Sequence, residues 1–167
     1  MKLKSKFNIQ IAADGSSASG KTTGARLFSK KYGIKFLSSG LLYRYSSYLI
    51  IKNKPSSERI FLEKKFKKFN LSHLKNKNLH TPEISELSSK IAKKKEIRGI
   101  LKRFQKNFVR RNRKVCIEGR DIGTVIMPNA DIKFFFTCNL NTAAKRRFKD
   151  LKKKNPKIRF ADVKKAM

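Results

Sequence analysis

Residues 12 to 24 read "AADGSSASGKTTG", and this stretch limits the possible folds more than any other in the chain. Gly15 and Gly20, followed by Lys21 and Thr22, fit the spacing G-x-x-x-x-G-K-[ST] without a gap. Such a loop needs a strand before it and a helix after it. "FNIQIAADG" alternates Phe7, Ile9 and Ile11 like a strand, and "KTTGARLFSKKYG" reads as a helix that stops at Gly33. The glycines allow dihedrals closed to other residues, so backbone N–H groups along Gly15, Ser16, Ser17, Ala18, Ser19, Gly20, Lys21, Thr22 and Thr23 can turn inward around phosphate oxygens. Lys21 then reaches the terminal phosphates. A hydroxyl from Thr22 or Thr23, with Thr22 in the motif's metal position, can meet a magnesium ion, and the helix points its positive end at the anion. The competing explanation, a small-residue turn that happens to precede a lysine, does not account for the strand and helix on either side.

A chain of 167 residues makes one domain the default and can bury about 70% of its extended surface. No apolar run approaches the ~20 residues of a membrane span, and the Lys-rich start lacks an apolar signal-peptide core. A soluble, cytoplasmic protein with no membrane partner is therefore expected. Cys116 and Cys138 lie in strand-like runs without metal spacing, which predicts two buried reduced thiols. His73 and His80 stand in polar sequence and read as surface residues. The 43 Lys+Arg against 11 Asp+Glu give a net charge of +32. Of the 43, 31 are Lys, spread along the whole chain, whereas base readout favours Arg and single-strand binding needs aromatics interleaved at an exposed face. Solvated basic faces, with no specific nucleic-acid partner, are the expectation. The field would still draw nucleotides and polyanions at low salt.

"IKFLSSG" predicts a second strand at 35–37, leading into a helix in "LLYRYSSYLIIKN". "PSSERIFLEKKFKKF" reads as a helix with Ile60, Phe61 and Phe69 as its apolar residues, and "NLSHLKNKNLH" as a loop or short turn. Thr81 as N-cap, Pro82 at the first helical position and Glu83 in the first turn start a helical stretch long enough for two consecutive helices. "KVCIEG" and "DIKFFFTC" read as two buried strands, and "NTAAKRRFKDLKKKN" as a helix capped by Asn139 or Asn141. Strands alternating with helices predict an α/β fold of the P-loop NTPase type: a parallel sheet, helices on both faces, ligands at the carboxyl ends of the strands. The expected layout is one domain, with core segments 1–52 and 112–167 around an insertion at about 53–111.

The carboxyl-end rule directs attention to the residues just beyond each strand. After the second stand Ser39, Gly40, Tyr43 and Arg44; after the third, Arg120 and Asp121 sit on a turn between Gly119 and Gly123. Either arginine can meet a second phosphate facing the loop, and Asp121 can accept from an amino group. Taken singly, each is equally a strand-exit turn with a surface ion pair.

"IAADGSSASGKTTGARLFSKKYGIKFLSSGLLYR", "TPEISELSSKIAKKKEIR" and "IEGRDIGTVIMPNADIKFFF" together resemble the bacterial cytidylate kinases, over most of the chain except about 55 to 78. The resemblance implies transfer of the γ-phosphate of ATP to CMP or dCMP, giving CDP or dCDP, with Mg2+; the complete protein is expected to be a monomer. It implies that Ser39, Arg44 and Arg120 hold the CMP phosphate, that Ser89, Arg98 and Asp121 read the cytosine edge, that Tyr43 lines the pocket, and that Lys21, Arg44 and Arg120 drive catalysis. Two positions depart from the pattern: Ser38 stands where the family commonly has Asp, and His80 where an Arg often precedes "TPE". The family also continues past "PKIRFADVKKAM" with an arginine- and aspartate-bearing lid and a final strand, so a chain ending at Met167 is expected to lack both, to turn over slowly, and to leave Phe134, Phe135 and Phe136 on an uncovered sheet edge. Two other small-molecule outcomes stay open, a different P-loop kinase and a nucleotide-binding chain without catalysis. So does a basic RNA-binding protein with an incidental loop.

Overall fold

A computed structural model describes residues 7–153 and 156–165. Strand β1 (Ile9–Gly15) is buried without interruption from Ile11 onward, because neighbours cover it on both sides and both faces. It pairs in parallel with β3 (Lys114–Gly119), Ile11 opposite Cys116 and Asp14 opposite Gly119, and with β4 (Ile132–Phe136), Ala13 opposite Phe134. Strand β2 (Lys35–Ser38) adjoins β3, giving the order β2-β3-β1-β4. Helix α1 (Lys21–Tyr32) ends at Gly33, the stop that the sequence anticipates, and a φ of 67° closes it there in the left-handed conformation. Ile11, Ala13, Ala25, Ile34 and Cys116 form a core between α1 and the sheet, with Phe28, Phe36 and Phe136 packed against it.

The chain divides into two compact units, Met1–Leu37 with Lys114–Met167, and Ser38–Arg113. The first unit also holds α6 (Leu140–Lys152) and α7 (Phe160–Lys165). The second holds α2 (Ser39–Asn53), α3 (Glu58–Lys67), 3-10 turns at Leu71–Lys75 and Lys77–His80, α4 (Pro82–Ile91) and α5 (Lys95–Arg110). Helix α2, assigned from sequence to the core segment 1–52, packs on α4 and so belongs with the second unit. Helix α3 lies on α5, and Leu42, Leu62, Leu79, Ile91, Ile97 and Leu101 close the second core. Caps begin most of these helices: Ser38 accepts from the N–H of Leu41, Ser57 from Ile60, and Thr81 from Ile84. Asn139, rather than Asn141, caps α6.

Three expectations change, and one element is added. In α3 the buried residues are Leu62 and Phe66, while Ile60 is 55% exposed, because the helix turns its 62/66 stripe inward. Strand β4 is not buried: among the described residues it is the last strand of the sheet, and Phe134 and Phe135 are 41% and 73% exposed, whereas Phe136, expected on the same uncovered edge, is half-buried against the core under α1. Cys116 is buried as expected, but Cys138 follows that edge strand and is half-buried; both thiols are free. The short helix α7, held partly by Phe160 edge-on to Phe148, has no forecast in the sequence reading. Both histidines are exposed, as their polar surroundings predict. Among the described residues no helix is long and apolar enough to cross a membrane.

Candidate active site

The loop after β1 has the conformation its glycines imply. Gly20 has φ 91° and Ala18 φ 58°. At Gly15 a Cβ would collide with the carbonyl oxygen of Phe136, so the close approach of β4 leaves no room for a side chain. Gly20 also cannot cap α1 with a side chain, which leaves first-turn N–H groups available to an anion. Lys21 donates from Nζ to the carbonyl of Ser16 at 3.1 Å and lies 3.9 Å from a carboxylate oxygen of Glu118, on the adjacent β3. The buried Ser19 hydroxyl also donates to the Ser16 carbonyl, at 3.0 Å, closing the loop on itself.

A cavity of about 370 Å³ opens on this loop, lined by residues 18–23 and by Arg146, Lys149 and Asp150 of α6. Arg146 donates from Nη1 to the carbonyl of Ala18 at 3.3 Å, which ties α6 to the loop. Sequence reading missed all three α6 residues. Their "KRRFKD" run looks like any other basic helix face in this chain, and only the fold shows which face meets the loop. Thr22 is half-buried on the cavity wall, and its hydroxyl makes no hydrogen bond among the described residues. A hydroxyl so placed beside a phosphate cradle suits Mg2+, which takes few protein ligands and completes its shell with phosphate oxygens and water. Among the described residues no cluster of three His, Cys, Asp or Glu could hold a metal. Thr23 is exposed.

Asp14, also missed, is 8% exposed and accepts from the N–H groups of Ile122 at 2.8 Å and Gly123 at 2.7 Å. It therefore pins the turn after β3 to the end of β1. That turn starts with Arg120 and Asp121 and continues as a single wide helical turn over Ile122–Ile126. Gly123 accommodates the pinning, because a Cβ there would come within 3.3 Å of the Asp14 carboxylate. Arg120 is exposed and makes no ion pair among the described residues; Asp121 is half-buried. The position of Asp14 immediately before Gly15 was a legible signal, since an acid at the end of a buried strand must find donors.

The other expected residues belong to the second unit. Ser39 is buried and Gly40 exposed in the first turn of α2, and Tyr43 and Arg44 are half-buried one turn on. Arg44 donates from Nη1 to the Ser85 hydroxyl at 2.7 Å and to the Leu79 carbonyl at 3.0 Å, so its head is fixed against α4 and the turn before it. Ser85, which sequence reading passed over, donates in turn to the Thr81 carbonyl at 2.9 Å. Ser89 donates to the Ser85 carbonyl at 3.2 Å, and Arg98 from Nη1 to the Ala92 carbonyl at 3.4 Å; both are exposed. Ser38, in the place of the family's Asp, is 3% exposed and does what an Asp could also do there, capping α2.

A family model described as cytidylate kinase matches residues 11–167. The chain is 37% identical over 166 residues to the cytidylate kinase of Thermosipho melanesiensis, an alignment covering 92% of this chain and 75% of that protein. It is 35% identical to that of Fervidobacterium nodosum, covering 94% and 76%, and 36% identical to that of Rickettsia rickettsii, covering 93% and 71%. A family model that spans nearly the whole chain, and relatives at this identity and coverage, show that the chain belongs to the cytidylate kinase family.

Proposed function

We propose that the chain transfers the γ-phosphoryl group of ATP to CMP or dCMP. One observation carries the reading beyond family membership. β1 and β3 pair with Asp14 opposite Gly119, so the phosphate loop and Arg120 leave the same end of the sheet. The donor cradle and a guanidinium that has no ion-pair partner among the described residues thereby leave neighbouring strands at one end of the sheet. Phosphoryl transfer of this kind needs positioning and charge neutralisation more than covalent chemistry.

In this reading the N–H groups of Gly15 to Thr23 hold the ATP phosphates and Lys21 exchanges the Ser16 carbonyl and Glu118 for them. Magnesium, held by Thr22, would supply neutralisation of the phosphate charge. Ser39, Gly40, Arg44 and Arg120 take the CMP phosphate, Tyr43 lines the pocket, and Ser89, Arg98 and Asp121 read the cytosine edge, Asp121 by accepting from the amino group that uracil lacks. No general base is required. The reaction calls for no specific nucleic acid, membrane or second subunit, and the protein works in the cytoplasm as a monomer.

The test is CDP formation from ATP and CMP, with UMP as the comparison. CDP formation that exceeds UDP formation, and whose preference narrows in Asp121→Asn, supports the assignment. Equal use of CMP and UMP, or no transfer to CMP under conditions where ATP binds, overturns it.

A further inference from the structure

A second cavity, of about 460 Å³, lies wholly within the second unit and takes no part in the reaction above. Its size falls in the range of small-ligand pockets, roughly 300 to 1,000 Å³. One wall is aromatic. Tyr45 stacks on His73 with ring centroids 5.4 Å apart and planes 10° from parallel, and Tyr48 lies beside Tyr45 at 6.5 Å and 26°. The His73 ring is held in place because its Nδ1 accepts from the N–H of Asn70, and Phe69 meets Tyr45 edge-on. The rim is basic. Lys52, Lys65 and Lys75 line the cavity, no acidic residue does, and none of the three lysines is ion-paired among the described residues. Lys52 holds its ammonium 5.9 Å over the Tyr48 ring, so charge and ring face adjoin.

Aromatic rings beside lysines are the two halves of a nucleotide's complement: bases stack on aromatic faces, and phosphates take lysines. The interleaving of aromatics with lysines at an exposed face, which the linear sequence does not display, is assembled here from α2, α3 and the turn after it. We infer that this cavity holds an unpaired nucleotide of a single-stranded nucleic acid, without sequence preference. A strand rather than a free nucleotide is favoured by charge beyond the cavity: Lys64, Lys68 and Lys77, close in sequence to the lining Lys65 and Lys75, are exposed. Stacking and point charges carry no base code, which is why no sequence is specified.

Fluorescence anisotropy of a labelled oligouridylate of about ten nucleotides tests this on the full chain. Uridylate lacks the amino group that a cytosine-reading kinase site selects, and the variants then separate this cavity from the rest of the basic surface. Tyr48→Ala removes a ring at constant charge and is expected to weaken binding roughly tenfold or more; Tyr48→Leu keeps the bulk if the alanine variant does not fold. Lys52, Lys65 and Lys75, changed together to Ala, should weaken binding and lower the salt slope by about 2, at ~0.7 per phosphate contact. The control changes Lys30, Lys35 and Lys102 together, removing equal charge elsewhere, and is expected to have much the smaller effect. CDP formation should be unchanged in all of them. An equal loss in the lysine control together with no loss on removing the ring would show diffuse charge attraction and overturn the site. Displacement of the oligonucleotide by UMP at matched nucleotide concentration would make it a mononucleotide site and overturn the strand.

Discussion

Asp14 shows what one buried carboxylate can organise, since its two oxygens hold two N–H groups of a turn 108 and 109 residues away. Asp14→Ala leaves both donors buried without an acceptor, at about 1 to 3 kcal/mol for each unsatisfied group. Urea unfolding should show that loss, and CDP formation should fall with it as the Arg120 turn loosens. Lys21→Ala should act differently: ATP no longer raises the melting temperature, while most CMP binding persists, because the proposed CMP contacts lie on other residues. Thermal shifts with each nucleotide separately check this. The two thiols should also part company. Burial, with the Glu118 carboxylate adding to it, pushes the Cys116 thiol above its ordinary 9.0, whereas Cys138 is half-buried. A thiol reagent should therefore modify Cys138 in the folded protein and Cys116 only on unfolding. The sign of the accompanying pH effect comes from linkage: both states keep the Cys116 proton well below 9, and above it the unfolded thiol ionises while the buried one does not. The urea midpoint should fall more steeply between about pH 8.5 and 10 in the wild type than in Cys116→Ala.

At the scale of elements, most of the fold was legible because its start and stop signals are local. The Thr81–Pro82 start, the Gly33 stop and the Asn139 cap are read from a few neighbouring residues and appear in the structure as such. What could not be read depends on partners distant in sequence. Which stripe of α3 turns inward is decided by α5, and whether β4 is covered by its place in the strand order. The candidate site divides along the same line. Residues that come directly after a strand, such as Arg120, can be named by rule, whereas Arg146 and Ser85 lie on helices whose facing the linear pattern does not give. Ser38 offers a test at this scale, because capping explains it without reference to substrate. Ser38→Ala should cost about 1 kcal/mol, with Ser38→Asp near neutral in urea unfolding.

For the whole molecule, charge and edge act against each other. The exposed Phe134 and Phe135 lie on the terminal strand of the sheet, an arrangement open to pairing with another chain, while a net charge of +32 keeps copies apart. Salt shortens the reach of that repulsion to about 8 Å at physiological ionic strength, so light scattering should rise with added salt, and Phe135→Lys should suppress the rise. The sheet's pairing has another consequence, one of timing. The second unit is an unbroken stretch, Ser38–Arg113, while β1 must wait for β3 and β4, whose residues are made only after that whole stretch. During synthesis the helical unit can close first on local contacts, with the first strand held unpaired and apolar beside it. Loop-closure entropy then sets the slow step, and the phosphate loop, whose shape depends on β4 pressing against Gly15, is among the last parts of the molecule to acquire its form.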